Sequence, residues 1–302
     1  MRALLYEYKK NKVCPYIIFA VLILLVGNVI IGFLYHDSTF GNRDRLEEER
    51  QFFVTALEEA GEDADVFIQE TCEEKISIIS YCIEHDIPYG QLSIYSNFVK
   101  NNMLLGLIIC LIALVSYNFV AVEDENGTWK NLILASKGRL DKIYFRKKIA
   151  AVLAVILVNL IFILVAFLYG AIRYGNWNDV NISYAEGQII LSSYSNQIQN
   201  VIISGMVRGT VYSSLAFLIA CSFRRSKIAL ISLIVLTLGE STINNFLNNF
   251  KISKFLPFHY LEILENFHDY PVKTQIIAMI YVAFMLAIFH VVSYTIIKRK
   301  FI

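Results

Sequence analysis

The stretch RKKIAAVLAVILVNLIFILVAFLYGAI, residues 146–172, has three basic residues directly before 24 residues without a charged side chain. A helix rises about 1.5 Å per residue and the hydrocarbon core of a bilayer is about 30 Å thick, so roughly 20 apolar residues cross it. The stretch therefore predicts a membrane-spanning helix whose basic end is anchored at one membrane surface.

Five other runs share this length and apolar character, in a chain of 302 residues that is 56% hydrophobic and only 18% charged. The six predicted spans are residues 13–35, 103–122, 149–172, 201–223, 228–248 and 273–297. The first run is too long for the apolar part of a signal peptide and lacks a clear small-residue cleavage site, so we interpret it as a signal anchor. The sequence predicts an all-α membrane protein with six transmembrane helices.

The basic residues are divided unevenly between the two sides of these spans. Seventeen of the 27 Lys and Arg residues lie in the segments 1–12, 123–148, 224–227 and 298–300. The opposite segments, 36–102, 173–200 and 249–272, hold twenty acidic residues and, with Lys273, nine basic ones. Because Lys and Arg are enriched in cytoplasmic loops, both termini are expected to face the cytoplasm.

Residues 36–102 are too long for a tight turn, and their apolar residues recur at helical spacing, interrupted by Gly61 and Pro88. They predict a small helical extracellular domain between the first two spans, with fifteen acidic and five basic residues. This acidic surface is either simply solvated or attracts a cationic cargo. Cys72 and Cys82 within it are either a disulfide or apolar filler.

Residues 124–148, DENGTWKNLILASKGRLDKIYFRKK, contain seven basic residues between the second and third spans. Apolar residues at helical spacing are Trp129, Leu132 and Ile133, followed by Leu140, Ile143 and Tyr144. They predict two short amphipathic helices, the first ended by Gly138 in a left-handed turn, whose apolar faces need a membrane surface or another protein's groove. A loop that only fixes topology would explain the basic residues but not this pattern.

Several of these residues occur in a familiar order and spacing: Glu123, Gly127, Thr128, Lys130, Leu132, Arg139, Arg146 and Lys147. The basic amphipathic start MRALLYEYKKNK, the run SLAFL at 214–218 and the run LPFHYL at 256–261 lie at matching places around the six spans. In these features the chain resembles the ABC type-2 permease family over nearly its whole length. It departs from the usual family sequence at 136–138, where a Pro-x-Ser-like turn is common.

The resemblance implies a subunit of the bacterial cell membrane that pairs with a second, identical or different permease and engages a cytoplasmic ABC ATPase. Residues 1–12 would be an interface helix, residues 123–148 the cytoplasmic coupling segment, and 249–272 an outer segment with short re-entrant helices. The residues implied to couple to the ATPase are Glu123, Gly127, Thr128, Trp129, Lys130, Leu132, Ile133, Arg139 and Tyr144.

The chain contains no G-x-x-x-x-G-K-[ST] phosphate-binding loop and no H-E-x-x-H metal-binding helix. We therefore expect no catalytic residues, no metal site and no bound cofactor, with ATP and Mg²⁺ held by the partner ATPase. Nothing indicates a nucleic-acid partner.

Two ionisable residues, Arg208 and Glu240, lie at similar depth within the fourth and fifth predicted spans. Charged groups at such depth are costly unless they are paired or face water. We predict an Arg208–Glu240 contact, which is either a strut between adjacent helices or part of a translocation path.

The function expected from these features is export of an amphipathic cargo driven by ATP hydrolysis in a separate chain. A toxin-like or antimicrobial peptide suits the acidic outer domain best, while lipid, drug and ion remain open cargoes. The alternative is a membrane sensor or scaffold that transports nothing and whose acidic outer domain binds a ligand.

Overall fold

The computed structural model describes residues 2–11, 13–34, 43–60, 66–85, 93–136, 138–175, 177, 180–185, 188–223, 226–239, 242 and 257–301. The helices in chain order are α1 (Arg2–Lys10), α2 (Val13–Leu34), α3 (Arg43–Ala60), α4 (Val66–Glu84), α5 (Ile94–Lys100), α6 (Leu105–Glu125), α7 (Trp129–Ala135), α8 (Leu140–Arg173), α9 (Tyr194–Ser222), α10 (Ser226–Leu238), α11 (Pro257–Glu265) and α12 (Val272–Phe301). Short 3₁₀ helices occupy Asn101–Leu104 and Phe267–Asp269.

Five helical stretches are long and apolar enough to cross a membrane: Val13–Leu34, Ile94–Asp124, Leu140–Arg173, Tyr194–Ser222 and Val272–Lys300. They coincide with five of the six predicted spans, and they are consistent with a multi-pass membrane protein. The remaining predicted span, 228–248, begins within α10, but most of its second half lies outside the described residues.

The chain divides into two compact units. Unit 1 comprises Met1–Gly27, Asn101–Ala166 and Gln197–Ile302, and unit 2 comprises Asn28–Lys100 and Phe167–Asn196. Three of the four boundaries fall within α2, α8 and α9, so each of these long helices contributes residues to both units, and the fourth lies between Lys100 and Asn101.

Unit 2 includes the helices expected in the outer domain and one element that the sequence reading missed. Helices α3 and α4 pack against each other. The predicted outer loop 173–200 contains an antiparallel hairpin, in which β1 (Val180–Ala185) pairs with β2 (Gln188–Ser193) and contacts α4. An all-α fold is thus correct for the membrane helices but omits this hairpin.

The two cysteines of the predicted outer domain, Cys72 and Cys82, are buried free thiols on the same helix, α4. Ten residues of helix separate them by about 15 Å, whereas the Cα atoms of a disulfide lie within about 7 Å. Burial also raises the pKa of the Cys82 thiol to about 11. Cys72 and Cys82 therefore fill apolar space and do not form a disulfide with each other.

The core of unit 1 is built around α6. In its most apolar stretch 67% of the residues are buried, compared with 28% for α2 and 22% for α12. Among the described residues, the large side chains enclosed in this unit include Trp129, Tyr144, Tyr212, Phe119 and Phe217. The apolar residues left exposed on α2, α8 and α12 agree with helices that face lipid.

Two glycines four residues apart let α9 approach its neighbours closely. A Cβ on Gly205 would lie 2.4 Å from Asn159 Oδ1 of α8, and one on Gly209 would lie 2.9 Å from Val155 Cγ1. Asn159 is itself buried and donates through Nδ2 to the Val155 carbonyl at 2.9 Å. Small residues at this spacing are a common way to pack membrane helices, so α8 and α9 leave no room for a larger side chain.

Replacement of Gly205 or Gly209 by alanine is therefore expected to destabilise the protein by about 1–3 kcal/mol through overpacking. The matched control is Gly106→Ala, because a Cβ at Gly106 meets no atom within 4 Å. The measurement is the unfolding midpoint of each variant in the same detergent. Equal midpoints for Gly205→Ala and Gly106→Ala would show that α8 and α9 are not closely packed.

Candidate functional site

The turn between α6 and α7 follows directly from the sequence Asn126-Gly127-Thr128. Gly127 has a φ of 63°, in the left-handed region that favours glycine. The amide of Thr128 donates to the Glu123 carbonyl at 3.0 Å, and the amide of Gly127 donates to the Asp124 carbonyl at 3.3 Å. These two bonds form a Schellman motif, which ends α6 and starts α7 in a fixed direction.

A cluster of buried charges lies beside this turn. Glu7 of α1, Glu123 of α6 and Lys147 of α8 are each at most 1% exposed. Lys10 contacts Glu123 at 2.6 Å and Arg146 contacts Glu7 at 3.1 Å, both from the partly exposed rim of the cluster. We call these five residues the ion cluster. It joins α1, α6 and α8 within unit 1.

Lys147 is the centre of the ion cluster. Its ammonium group donates to Glu123 Oε1 at 3.0 Å, to Glu7 Oε2 at 3.3 Å and to the Phe119 carbonyl at 2.7 Å. Three acceptors satisfy the three donors of an ammonium group. The ammonium also lies 5.6 Å from the centre of the Trp129 ring, within the range of a cation–π contact. Lys147 therefore ties both carboxylates to the first residue of α7.

Further hydrogen bonds fix the groups around the ion cluster. The Thr128 hydroxyl donates to the Glu123 carboxylate. The Asn11 side chain donates to the Glu7 carbonyl at 2.8 Å. The Tyr8 hydroxyl of α1 donates to the Ala150 carbonyl of α8 at 3.0 Å, and burial raises the pKa of Tyr8 to about 12. Tyr8 therefore stays a neutral donor at neutral pH.

The apolar face of α7 is covered by the chain's own core. Trp129 is 1% exposed, and Leu132 and Ile133 are partly buried against the core of unit 1. The expectation that this face needs a membrane or another protein is therefore wrong. The opposite side of α7 is exposed and includes Lys130 and Leu134, of which Leu134 is 77% exposed.

The turn after α7, where the sequence departs from the family pattern, is held locally. Gly138 has a φ of 76°, and its amide donates to the Ile133 carbonyl at 2.9 Å. The Ser136 hydroxyl donates to the same carbonyl at 2.8 Å. Arg139 follows in an exposed position and lines a cavity of about 510 Å³. This glycine turn gives α7 a fixed end without a proline.

Tyr144 lies in the core of unit 1. Its hydroxyl is 2.7 Å from Ser293 Oγ and donates to the His290 carbonyl of α12 at 3.0 Å. Lys300 of α12 pairs with Asp124 at 2.6 Å, and the Tyr294 hydroxyl donates to Asp141. The end of α12 is thus attached to the same region as the ion cluster. We call this region of unit 1, from the ion cluster to Lys300, the basic end.

Arg208 of α9 pairs with Glu265 of α11, with Nη1 and Oε1 2.9 Å apart. Glu240, the partner predicted from the sequence, lies outside the described residues. Both groups of the observed pair are partly exposed, at 18% and 23%. Arg208 has a carboxylate partner that comes from the segment before α12, which the spacing of the spans did not indicate.

The structure brings Glu123, Gly127, Thr128 and Trp129 together and leaves Lys130 and Arg139 at the surface. The sequence reading missed Glu7 and Lys10, which complete the ion cluster. One signal was present: Glu7 is the only acidic residue among the first twelve, in an otherwise basic helix. An isolated carboxylate on such a helix indicates a specific cationic partner.

Comparison with known proteins adds one similarity and no assigned activity. The chain is similar to the uncharacterized protein YhcI of Bacillus subtilis strain 168, with 23% identity over 295 residues and 93% of each chain covered. No model of a protein family matches the chain. No solved structure matches it. The similarity to YhcI extends over both units.

Replacement of Lys147 by methionine is expected to destabilise the protein by about 3–5 kcal/mol, the usual result of breaking a buried ion pair. Without Lys147, Glu7 keeps only Arg146 as a cationic partner. Glu7→Gln in the same chain removes this carboxylate, so the double variant should lose at least about 1 kcal/mol less than the sum of the single losses. The measurement is unfolding by SDS in mixed micelles.

The control for charge removal is Lys142→Met, an exposed position on the same helix, which should change stability by about 0.5 kcal/mol or less. Strictly additive losses for Glu7→Gln and Lys147→Met would mean that the two side chains do not interact.

Proposed function

We propose that this chain is the transmembrane permease subunit of an ABC exporter in a bacterial cell membrane. A separate ATPase chain docks at the basic end, which faces the cytoplasm, and two permease subunits form the transport path. The observation that carries this proposal is a short helix, α7, that is locked to the membrane helices on one side and exposed on the other.

The locked side supports a role in transmitting force. Trp129 at the start of α7 contacts Lys147 of α8, while the Thr128 hydroxyl holds Glu123 of α6. Glycine turns with positive φ at Gly127 and Gly138 bound the helix on both sides. A displacement of α7 therefore has to move the ends of α6 and α8 rather than a loose loop.

The exposed side supports docking of a protein. Lys130 and Leu134 lie one turn apart on α7, and both are exposed. A short helix that presents one apolar side chain among cations fits a groove with an acidic rim, because charge complementarity orients the partner. The expected partner surface is therefore a groove in the ATPase with acidic residues around it.

Hydrolysis has to come from that partner, because the sequence contains no phosphate-binding loop of the G-x-x-x-x-G-K-[ST] type. ATP and Mg²⁺ would be bound there, and this chain would not be an enzyme. The conversion of hydrolysis into movement would pass through α7 and the ion cluster.

The cargo that fits best is a cationic amphipathic peptide. The helix α3 of unit 2 carries the sequence RDRLEEERQFFVTALEEA, in which acidic residues outnumber basic ones. An acidic surface raises the local concentration of cations. Lipid, drug or ion remain alternative cargoes, and reconstituted transport of a cationic peptide against a neutral one separates them.

The docking proposal predicts that Leu134→Asp lowers the affinity for the ATPase at least about tenfold, a loss of roughly 1.4 kcal/mol. The matched control is Phe52→Asp, because Phe52 of α3 is also exposed, at 66%, but lies in unit 2. Affinity and ATP hydrolysis are measured with the purified permease and ATPase in lipid nanodiscs.

Leu134→Asp should also abolish the stimulation of ATP hydrolysis by the permease, whereas Phe52→Asp should preserve it. If neither variant alters affinity or hydrolysis, α7 is not the docking helix. If no ATPase associates with the wild-type chain, the sensor or scaffold alternative is favoured instead. Trp129 is unsuitable for this test because its replacement would open the core.

A further inference from the structure

A cavity of about 510 Å³ opens at the basic end, between the end of α7 and the start of α8. Its lining comprises Leu132, Ala135 and Ser136 from the end of α7, and Arg139, Lys142, Ile143 and Arg146 from the start of α8 and the residue before it. Lys142 and Arg146 are four residues apart on α8 and lie on one face of it, and Arg139 directly precedes this helix. The cavity thus combines three cationic side chains with a small polar and apolar wall.

The positive charge of this cavity is only partly neutralised within the described residues. Arg146 Nη2 lies 3.1 Å from Glu7 Oε1 and forms an ion pair with it. The Nε of Arg146 is buried and makes no hydrogen bond within the described residues. No ion pair involves Arg139 or Lys142 in the described part of the chain. The nearest carboxylate in sequence, Asp141, accepts a hydrogen bond from Tyr294. An anion with several oxygen atoms would satisfy these donors.

The cavity lies where a membrane would place the phosphates of its lipids. The uncharged run of α8 begins at Ile149, so Arg146 stands about 5 Å and Lys142 about 10 Å outside it along the helix axis. The same helical face continues inward as exposed apolar residues: Ile149, Leu153, Ile156 and Leu160. Phe145, 51% exposed, lies at the boundary, as aromatic residues at membrane interfaces commonly do.

We propose that this cavity binds the phosphate headgroup of an anionic phospholipid, with the acyl chains lying along the exposed face of α8. Arg139, Lys142 and the guanidinium group of Arg146 would hold the phosphate oxygens. A protein partner would not need the continuous apolar strip below the cations, whereas a lipid needs both. This proposal does not rest on the proposed exporter function, because it requires only that α8 spans a membrane.

The test uses the purified full chain without any ATPase. Lipid binding is followed by native mass spectrometry on release from micelles containing phosphatidylglycerol or phosphatidylcholine. Arg139→Gln/Lys142→Gln should weaken phosphatidylglycerol binding about 25-fold, since each cation near an anionic surface contributes roughly a factor of five. Arg146 is kept, because it also pairs with Glu7.

The matched control is Lys298→Gln/Arg299→Gln, which removes two exposed charges that do not line the cavity. It should leave phosphatidylglycerol binding within about twofold of the wild type, below the factor of five expected for one interacting cation. Phosphatidylcholine, which is not anionic, should bind weakly to every variant, and millimolar inorganic phosphate should not displace phosphatidylglycerol.

Three results would overturn the proposal. Equal losses in both double variants would indicate a general attraction to the basic end. Displacement by inorganic phosphate alone would indicate a free phosphate site. Unchanged lipid binding in Arg139→Gln/Lys142→Gln, together with lost ATPase association in the nanodisc assay, would assign the cavity to the protein partner. The exporter proposal survives failure of the lipid test, because that test contains no ATPase.

Discussion

The arrangement of the basic end depends on the buried ammonium group of Lys147. Without it, Glu7 and Glu123, each at most 1% exposed, would share no cation and would keep only Arg146 and Lys10 at the rim of the cluster. Removing charges from water costs several kcal/mol per ion, and only close opposite charges and hydrogen bonds offset that cost. One cation with three acceptors meets this requirement and fixes α1, α6, α7 and α8 in a single arrangement. The same cluster would be of little use as a source of stability alone, because apolar residues stabilise such sites equally well.

Much of the helical layout could be predicted from the sequence, because long apolar runs and glycines at turns are local signals. The five helices that are long and apolar enough to cross a membrane, and the left-handed Gly138, are of this kind. The Glu7–Lys147 contact joins residues 140 positions apart, and no local pattern specifies such a pair. The spacing of Trp129 showed that one face of α7 is covered, but periodicity does not say whether the chain itself or a partner covers it. The hairpin at β1 and β2 had a signal, two β-branched stretches with only Glu186 and Gly187 between them, which the reading of this segment as a loop ignored.

The close packing of unit 1 supports the proposed function, because it would pass a movement of α7 on to the neighbouring helices. Gly205 and Gly209 bring α9 into direct contact with α8, and the Ser116 and Ser213 hydroxyls, 2.8 Å apart, join α9 to α6. Lys148 donates to Ser214 at 2.9 Å close to the ion cluster. Movement of α7 would therefore reach three membrane helices through short, specific contacts. A bound anionic lipid next to α8 would hold the same end of the helix at the membrane surface, so the two proposals concern neighbouring surfaces of one rigid region.

Hydrogen–deuterium exchange of the chain in lipid nanodiscs, with wild type and Lys147→Met compared, tests most directly whether Lys147 holds the basic end together. The amides of α1 and of residues 127–135 should lose protection together in the variant, because both elements are attached through the ion cluster. The backbone amides of α4 in unit 2 should exchange at the wild-type rate. This result would show that the variant is folded. Unchanged protection of α1 and α7 in Lys147→Met would contradict the central role of this residue.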